Sequence, residues 1–314
     1  MKAVLHYRAT PGFRAAIAAL ENDWLRIDVV DESDKQAFAR EMRDADVLLH
    51  VLERVTRSII DEAPRLTLIQ KLGVGVDTID LEAARARGIA VCNMPGTNTR
   101  AVAELALLLM LATLRRLSAL DRQTRAGHGW ALDSDLLDNL GELGGRTVGL
   151  VGFGAVGQCL TPMLHGIGAN VIYTSRRAAA DTSAQFVSLS DLLSAADVVS
   201  LHVPLTAETA HIIDERAIEM MRQGAVLVNT ARGGLVDYDA LHRALASGRL
   251  RGAGLDVFEA EPAGAAHPLF QLPNVVVTPH VAWFTAETLH RGLGVFAENC
   301  RRLRDGEPFL NRVV

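Results

Sequence analysis

Three glycines in the middle of the chain have a spacing that suits the binding of a pyrophosphate. Gly152, Gly154 and Gly157 form the pattern Gly-x-Gly-x-x-Gly, directly after the apolar run Val148–Gly152 and at the start of a helical pattern. In such a unit the first glycine permits a tight turn, the second lets the backbone approach the anion, and the third lets helix and strand pack closely. A purely structural turn is the alternative. The context favours a dinucleotide site formed by Gly152, Phe153, Gly154, Ala155, Val156 and Gly157.

The residues after the following strand indicate which dinucleotide binds. Ser175 lies 18 positions after Gly157, where an acidic residue would bind the 2′-hydroxyl of the ribose, and Arg176 and Arg177 come next. A small hydroxyl group beside two guanidinium groups suits a 2′-phosphate instead. We therefore predict NADP in preference to NAD. The alternative is a pair of solvated arginines at a strand end.

Apolar runs of strand length alternate with helical patterns along the chain. The strands and helices that they predict must position these residues. Alternation of this kind predicts parallel sheets with helices on both faces, an α/β fold of doubly wound sheets. The runs before residue 97 are Ala3–His6, Ile27–Val30, Val47–Val51, Leu68–Leu72 and Ile89–Cys92. The runs after it are Val148–Gly152, Asn170–Thr174, Val198–Val203, Ala225–Thr230, Ala253–Phe258 and Val275–Thr278.

Size and composition exclude several classes of protein. A chain of 314 residues is long enough for two domains. A net charge of −5 gives no reason to expect binding to nucleic acid or to an anionic membrane. The longest apolar stretch, Leu105–Leu114, is about half of the ~20 residues that a membrane span needs. Cys92, Cys159 and Cys300 are too scattered for a disulfide framework or a metal cluster. We predict a cytoplasmic protein with reduced thiols and no metal site.

A turn-rich segment, Asn93–Gly96, separates the two series of strands. The helical pattern that follows, Ala101–Leu117, is apolar on most of its faces, so the helix must be buried. It is either a core helix or a helix at the interface with a second subunit, and the pattern leaves both possibilities open.

Several segments, in order, resemble the D-isomer-specific 2-hydroxyacid dehydrogenases. Together with the glycine turn they extend over nearly the whole chain. They are Lys71–Asp77, Asn93–Gly96, Val102–Glu104, His202–Thr206, Asn229–Gly233, Gly254–Pro262 and Thr278–His280. The resemblance implies that a Rossmann nucleotide domain, residues 97–285, is inserted into a flavodoxin-like substrate domain, residues 1–96 and 286–314. It also implies an active site in the cleft between the domains and a homodimer.

The resemblance assigns three catalytic residues, all at or just beyond predicted strand ends. Arg232 matches the arginine that holds the substrate carboxylate, Glu261 the acid and His280 the catalytic histidine. Reduction of a 2-oxo acid places negative charge on the carbonyl oxygen, so a proton donor and a fixed cation should face it. We expect His280 to donate the proton and Glu261 to orient its ring and favour its charged form.

Other site residues also follow from the resemblance. Val74, Gly75 and Val76 lie in a glycine-containing loop whose N–H groups would bind the substrate carboxylate. Asp256 would bind the nicotinamide carboxamide, although it could instead be an acceptor for nearby backbone. The other residues expected to line the cofactor site are Val203, Pro204, Thr209, Thr230, Ala231 and Ala282.

The substrate itself depends on less regular positions. Leu52 and Glu53 occupy the place where phosphoglycerate dehydrogenases carry a basic residue, and an acid beside a phosphate is unfavourable. We therefore favour a glyoxylate or hydroxypyruvate reductase over a D-3-phosphoglycerate dehydrogenase. Trp283 would cap a small pocket or simply pack at the domain interface. A dinucleotide-sensing corepressor is an alternative, as is an enzyme for formate or phosphite; formate dehydrogenases usually carry Gln at the position of Glu261.

Overall fold

The structure is a computed structural model that describes residues 1–314 except for the side chain of Asp135. It divides into two compact units. Unit 1 comprises residues 1–98 and 284–314, and unit 2 comprises residues 99–283. The sequence placed the two boundaries at 96/97 and 285/286.

Unit 1 is built on a five-stranded sheet in which all neighbouring strands are parallel. The strand order is β2-β1-β3-β4-β5, the flavodoxin-like order, and it reverses between β1 and β3. The strands are β1 (Lys2–His6), β2 (Arg26–Val30), β3 (Val47–His50), β4 (Leu68–Lys71) and β5 (Ala90–Cys92). The helices are α1 (Pro11–Ala18), α2 (Lys35–Met42), α3 (Arg57–Asp61), α4 (Leu81–Ala86) and α12 (Ala286–Asp305).

Alternate residues of these strands supply the core of unit 1. Val4 and Leu48 join a buried cluster with Phe38 and Met42, which lie on the apolar face of α2. Successive side chains of a strand point to opposite faces, so the intervening residues are buried elsewhere. Burial of each such aliphatic or aromatic side chain contributes about 1.5–3 kcal/mol, which fixes the register of the sheet.

Unit 2 contains a seven-stranded sheet, again with every neighbouring pair parallel. Its order, β12-β11-β10-β9-β6-β7-β8, extends the Rossmann order by one strand and reverses between β6 and β9. The strands are β6 (Thr147–Val151), β7 (Asn170–Thr174), β8 (Gln185–Phe186), β9 (Val198–Leu201), β10 (Ala225–Asn229), β11 (Leu250–Leu255) and β12 (Val275–Val277). The helices are α5 (Thr99–Leu114), α6 (Leu117–Arg125), α7 (Ser134–Asp138), α8 (Ala155–Ile167), α9 (Leu189–Ala195), α10 (Glu215–Met220) and α11 (Tyr238–Ala246).

Apolar clusters cover both faces of the second sheet. On β10, Leu227 joins the cluster that contains residues of α9, α10 and α11, whereas Val226 and Val228 join the cluster of α5 and α8. All five residues of β10 are buried, as expected for a strand in the middle of a parallel sheet. The predicted α/β class with two parallel sheets is therefore confirmed.

The long apolar helix is shorter than the sequence predicted. It was expected over Ala101–Leu117, but α5 ends at Leu114 because Arg116 adopts a left-handed conformation, with φ of 52°, and a new helix starts at Leu117. That helix, α6, was missed, as was the two-residue strand β8, which is too short to give a pattern.

Strand β11 also differs from its prediction, Ala253–Phe258, because it runs from Leu250 to Leu255. Its glycines hid the strand pattern, and the packing explains them. A Cβ atom at Gly254 would lie 2.8 Å from Cβ of Leu109 in α5, and one at Gly252 would lie 2.6 Å from the carbonyl oxygen of Asn274. Helix α5 therefore packs directly on the backbone of β11. Because the strand ends at Leu255, residues 256–258 belong to the loop that follows it.

No helix in the described part of the chain combines the length and the apolar character that crossing a bilayer requires. Cys92, Cys159 and Cys300 are all free thiols. Within the described residues, no group of three or more His, Cys, Asp or Glu side chains could hold a metal ion.

Candidate active site

The glycine turn joins β6 to α8, and two of its glycines are required by close contacts. Gly152 has φ of 101°, and a Cβ atom there would lie 2.4 Å from the carbonyl oxygen of His202. A Cβ atom at Gly157 would lie 2.9 Å from the carbonyl oxygen of Gly152, so the helix packs on the turn without a side chain between them. Phe153 is buried and stacks on Tyr173 of β7, with 3.8 Å between the ring centroids. Its side chain therefore belongs to the core, and only its backbone faces the turn.

Gly154 differs from its neighbours because a Cβ atom there would meet nothing within 4 Å. It is the N-cap of α8, with φ of −80°, and it makes no side-chain capping hydrogen bond to the first turn of the helix. The N–H groups of that turn have no partners within the helix and carry its positive dipole end, which suits an anion. The open space beside Gly154 is where a pyrophosphate would fit.

Ser175, Arg176 and Arg177 follow β7 directly. The Ser175 hydroxyl donates to the carbonyl oxygen of Arg177 at 2.5 Å, which holds the segment in a turn, and both arginine side chains are exposed. The hydroxyl of Thr206 and, more weakly, the charge of Arg176 lower the pKa of Glu208. The segment therefore has two cations at a strand end, with one carboxylate near the first of them.

The turn after β10 presents Arg232. The buried side chain of Asn229 holds this turn, because its Nδ2 donates to the carbonyl oxygen of Arg232 at 2.8 Å and its Oδ1 accepts from the N–H of Ala231 at 3.0 Å. A Cβ atom at the next residue, Gly233, would lie 2.0 Å from the carbonyl carbon of Phe258, so only glycine fits there. The half-buried guanidinium group of Arg232 thus leaves a fixed backbone.

Glu261 and His280 form a hydrogen-bonded pair. Nδ1 of His280 lies 2.6 Å from Oε2 of Glu261, while Oε1 of Glu261 accepts from the N–H of Phe258 at 2.8 Å. Burial raises the pKa of Glu261, but its hydrogen bond to His280, the charge of His280, the Phe258 N–H and the charge of Arg232 together lower it below its ordinary value. The glutamate is therefore an anion that accepts the Nδ1 proton, and Nε2 of His280 is left to exchange a proton with a ligand.

Asp256 organises the segment that carries His280. Its Oδ1 accepts from the hydroxyl of Thr278 at 2.5 Å and from the N–H of Val281 at 3.0 Å, and its Oδ2 accepts from the N–H of Ala282 at 2.9 Å. Its carbonyl oxygen accepts from the N–H of His280 at 2.7 Å. Burial raises the pKa of Asp256 against the lowering effect of these donors. The carboxylate thus has the structural role that the sequence had left as an alternative.

Trp283 contacts the backbone of His280. The indole side chain is buried, and its Nε1–H donates to the carbonyl oxygen of His280 at 3.1 Å. His280 itself has φ of 55°, an uncommon conformation for a residue with a side chain. Trp283 therefore supports the backbone that carries His280.

The remaining cofactor candidates in unit 2 lie on loops that follow β9 and β10. Thr209 donates from its hydroxyl to the carbonyl oxygen of Pro204 at 2.7 Å, which closes the loop after Val203. Thr230 is buried, and its hydroxyl oxygen has no hydrogen-bond partner among the described residues. A buried hydroxyl without a partner is unfavourable unless a ligand or water completes it. Together with the open side of Gly154, this orphan hydroxyl fits a bound dinucleotide.

The predicted substrate loop lies in unit 1. Gly73 has φ of 140°, and the loop after it is held by Asn93, whose Nδ2 donates to the carbonyl oxygen of Val74 at 2.9 Å. The side chain of Val74 is 44% exposed, whereas Gly75 and Val76 are half-buried. Leu52, on the loop after β3, is half-buried.

The sequence had missed the residues that hold the side chains of the candidate site. Asn229, Thr278 and the N–H of Phe258 position Arg232, Asp256 and Glu261, respectively. A polar residue at the end of a fully apolar strand, as Asn229 is, was the available signal. The contacts of Thr278 and Phe258 depend on how two loops meet, which no local pattern gives.

Comparisons with known proteins identify the family of the chain. Residues 107–282 match the family model described as D-isomer specific 2-hydroxyacid dehydrogenase, NAD binding domain. A glyoxylate reductase of Thermococcus litoralis is 41% identical over 275 residues, which are 85% of this chain and 82% of that protein. The structure of the NAD-dependent formate dehydrogenase of Staphylococcus aureus, in complex with NAD, has a TM-score of 0.91 and 32% identity, covering 100% of this chain and 99% of that one.

A longer relative is similar over part of its length. The D-3-phosphoglycerate dehydrogenase of Mycobacterium tuberculosis is 40% identical over 298 residues, which are 93% of this chain but 55% of that protein. The chain thus spans about half the length of the mycobacterial relatives that it matches.

Proposed function

Because the chain belongs to the family of D-isomer specific 2-hydroxyacid dehydrogenases, we propose that it reduces a small 2-oxo acid to the D-2-hydroxy acid with a nicotinamide dinucleotide. One observation carries the proposal, the hydrogen bond of 2.6 Å between His280 and the Glu261 carboxylate. A histidine held in this way can deliver a proton from Nε2 while its Nδ1–H stays bound to an anion.

The side chains of unit 2 divide the chemistry between them. The reduced dinucleotide, when bound, supplies the hydride that reaches the carbonyl carbon. His280 donates its Nε2 proton to the carbonyl oxygen, so that the oxygen becomes the hydroxyl group and the imidazolium becomes neutral imidazole. Glu261 stabilises the imidazolium before the transfer, and Arg232 attracts the substrate carboxylate and the developing negative charge. Asp256 and Trp283 hold the backbone of residue 280 from its two sides.

Residues of the glycine turn and of the loops after β7, β9 and β10 hold the dinucleotide in this proposal. The first turn of α8 binds the pyrophosphate beside Gly154, and the hydroxyl of Thr230 receives a partner. Arg176 and Arg177 bind the 2′-phosphate, which makes NADP the preferred cofactor over NAD. In unit 1, the N–H groups of the loop of Val74, Gly75 and Val76 bind the substrate carboxylate.

Glyoxylate and hydroxypyruvate are the substrates that we favour. Glu53 is exposed on the loop that carries Leu52, and an acid there repels the dianionic phosphate of phosphoglycerate. The resemblance to a glyoxylate reductase over most of both chains supports this choice. D-3-Phosphoglycerate is the second candidate, because the mycobacterial relatives carry that name. Glu261, as a partner for a proton-donating histidine, argues against formate, whose oxidation requires no proton transfer.

A panel of substrates tests the proposal. The purified protein is mixed with NADPH or NADH and with glyoxylate, hydroxypyruvate or pyruvate, while cofactor absorbance is followed. Oxidation is measured separately, with NADP⁺ or NAD⁺ and D-3-phosphoglycerate or formate. We expect the highest kcat/KM for glyoxylate or hydroxypyruvate with NADPH. Binding of the dinucleotide without turnover of any 2-oxo acid would favour a sensing role, as in a corepressor, and would contradict the proposed enzyme.

We further propose a cytoplasmic homodimer. The three free thiols are in keeping with a reducing compartment. Large apolar side chains are exposed on α5, α6, α7 and the segment between α6 and α7, namely Leu108 at 52%, Leu117 at 51%, Trp130 at 97% and Leu137 at 47%. Large apolar side chains exposed on consecutive elements favour an interface with another chain.

A further inference from the structure

Two buried polar side chains in unit 1 hold the loop that carries Leu52. Nε2 of His50 lies 2.5 Å from the carbonyl oxygen of Glu53, and Nζ of Lys71 donates to the carbonyl oxygen of Val51. His50 is the last residue of β3, and Lys71 is the last residue of the neighbouring strand β4, paired with it in register. The backbone carbonyl groups of Val51 and Glu53, on either side of Leu52, are thus held by side chains from the carboxyl ends of β3 and β4.

The chemistry of His50 determines which atom makes this contact. A carbonyl oxygen only accepts, so the Nε2 atom must carry the proton. Burial and, secondly, the charge of Lys71 lower the pKa of His50 to about 3, so the ring is neutral at pH 7 and its Nδ1 atom carries no proton. His50 is 2% exposed, and its Nδ1 atom has no hydrogen-bond partner among the described residues. Within the described residues, the His50 ring therefore makes one hydrogen bond to the loop, in which its Nε2–H is the donor.

Lys71 also connects this loop with the loop of residues 73–76. A Cβ atom at Gly73 would lie 3.5 Å from Cε of Lys71, so the lysine side chain passes beneath the start of that loop on its way to Val51. The lysine is 6% exposed. Lys71 therefore lies against both loops that the proposed function assigns to the substrate, and His50 holds one of them.

We propose that His50 and Lys71 are positioning residues that fix the loop Val51–Glu53 and, through Leu52, set which 2-oxo acid side chain the protein accepts. The inference rests on the proposed function, because it needs a 2-oxo acid to bind beside Leu52. It adds two residues that never touch the substrate and that act by holding the backbone.

Substitutions of His50 separate its hydrogen bond from its volume. The amide nitrogen of Gln reaches the position of Nε2, whereas Met has similar volume and no donor. We expect His50→Met to lower kcat/KM for glyoxylate about tenfold through KM, and to change the ratio of kcat/KM for hydroxypyruvate and glyoxylate about threefold or more, since small displacements of a positioning loop are costly. His50→Gln should stay within about twofold of wild type in both measures.

His6 supplies a matched control for burial. It ends β1 in register with His50, it is 8% exposed, and its Nε2 atom also lacks a partner among the described residues. No hydrogen bond between His6 and the loop Val51–Glu53 is present in the described structure. We expect His6→Met to leave the substrate ratio of wild type unchanged.

A double-mutant cycle shows whether His50 acts through Leu52. The effect of Leu52→Ala on the substrate ratio should shrink in the His50→Met protein, because residues coupled through a shared backbone segment are not additive. If His50→Met does not fold, as judged by thermal unfolding, His50→Asn gives the same comparison because its amide is too short to reach Glu53.

Three kinetic results would overturn the inference. These are equal effects of His50→Gln and His50→Met, additive effects of the two positions, or a ratio that changes as much in His6→Met. The Kd for NADPH should be the same in all variants, and a parallel loss of NADPH binding would also contradict the inference. If the wild type reduces no 2-oxo acid, the proposed function fails instead.

Discussion

His280 combines a strained backbone conformation with the side chain that we propose as the proton donor. Its φ of 55° costs about 1–2 kcal/mol for a residue with a side chain, so the surrounding contacts must hold it there. The carbonyl oxygen of Asp256, the indole of Trp283 and the carboxylate of Glu261 bind its N–H, its carbonyl oxygen and its ring, respectively. These three contacts hold the ring of His280, and with it the Nε2 atom, in one orientation.

The first prediction concerns Glu261→Gln. The amide removes the negative charge that favours the imidazolium form of His280 while it keeps the size of the side chain. We expect kcat/KM for reduction of the 2-oxo acid to fall about tenfold or more at neutral pH, the scale of a general acid's contribution. In wild type, kcat/KM should also fall at acidic pH, where Glu261, whose pKa despite burial lies below its ordinary value because of its hydrogen bond to His280, takes up a proton; this acidic limb should be absent in the variant. A pH profile in which the two curves superimpose would contradict the assigned role.

His50 gives a second prediction, on stability. Its pKa of about 3 in the folded protein lies below the ~6.5 of an unfolded chain. The unfolded state therefore takes up the proton first. The contribution of the neutral ring is complete above about pH 6.5 and is lost as the pH falls toward 3, at about 1.4 kcal/mol per pH unit for one proton.

Unfolding of the wild-type and His50→Gln proteins with guanidinium chloride, between pH 4 and 7, measures this contribution. The free energy of unfolding of wild type should fall more steeply with decreasing pH than that of the variant, which has no proton to take up at this position. Parallel slopes would show that His50 titrates alike in both states.

At the scale of elements, the strand–turn–helix unit of β6 and α8 distinguishes two kinds of glycine. Gly152 combines a positive φ with a close approach to His202, and both are properties of the folded chain alone. Gly154 has an ordinary φ and open space beside it, so its lack of a side chain serves something outside the chain. The same motif therefore contains one glycine required for folding and one reserved for a ligand.

This difference predicts opposite results for two alanine variants. Gly154→Ala should keep the Tm of wild type and raise the Kd for NADPH about tenfold or more, because the added methyl group occupies the space of the pyrophosphate. Gly152→Ala should lower the free energy of unfolding by about 2–4 kcal/mol, since it adds strain and a clash with backbone. Thermal unfolding and NADPH titration of both proteins check the contrast, and a destabilised Gly154→Ala protein would contradict it.

Elements with regular patterns could be predicted from the sequence, and elements defined by contacts could not. The buried strands at Val47 and Ala225 were found because continuous apolar runs bounded by turns mark a parallel sheet. The start of β11 was missed because Gly252 and Gly254 replace the apolar residues that α5 leaves no room for. Among the site residues, the pairing of Glu261 with His280 was expected, whereas the three donors to Asp256 arise from a loop conformation without periodicity.

At the scale of the whole molecule, the exposed apolar residues of α5–α7 lead to the last prediction. Leu108→Arg introduces a charge at a side chain that is 52% exposed, so it should be tolerated by the isolated chain but not by an apolar interface. Light scattering should give a dimer for wild type and a monomer for this variant. Met220→Arg, on α10 and 43% exposed, is the matched control and should remain dimeric. A dimeric Leu108→Arg protein would exclude α5 from the interface.

The chain finishes unit 1 only after it has passed through unit 2. The N–H of Val313 donates to the carbonyl oxygen of Val91, and the amide of Asn299 on α12 bonds Gln70 of β4. During synthesis, unit 2 has therefore left the ribosome in full while the sheet of unit 1 still lacks helix α12 and the C-terminal segment that bonds to β5. Unit 2 can therefore fold first. The sheet of unit 1 stays partly exposed until about thirty more residues have been synthesised.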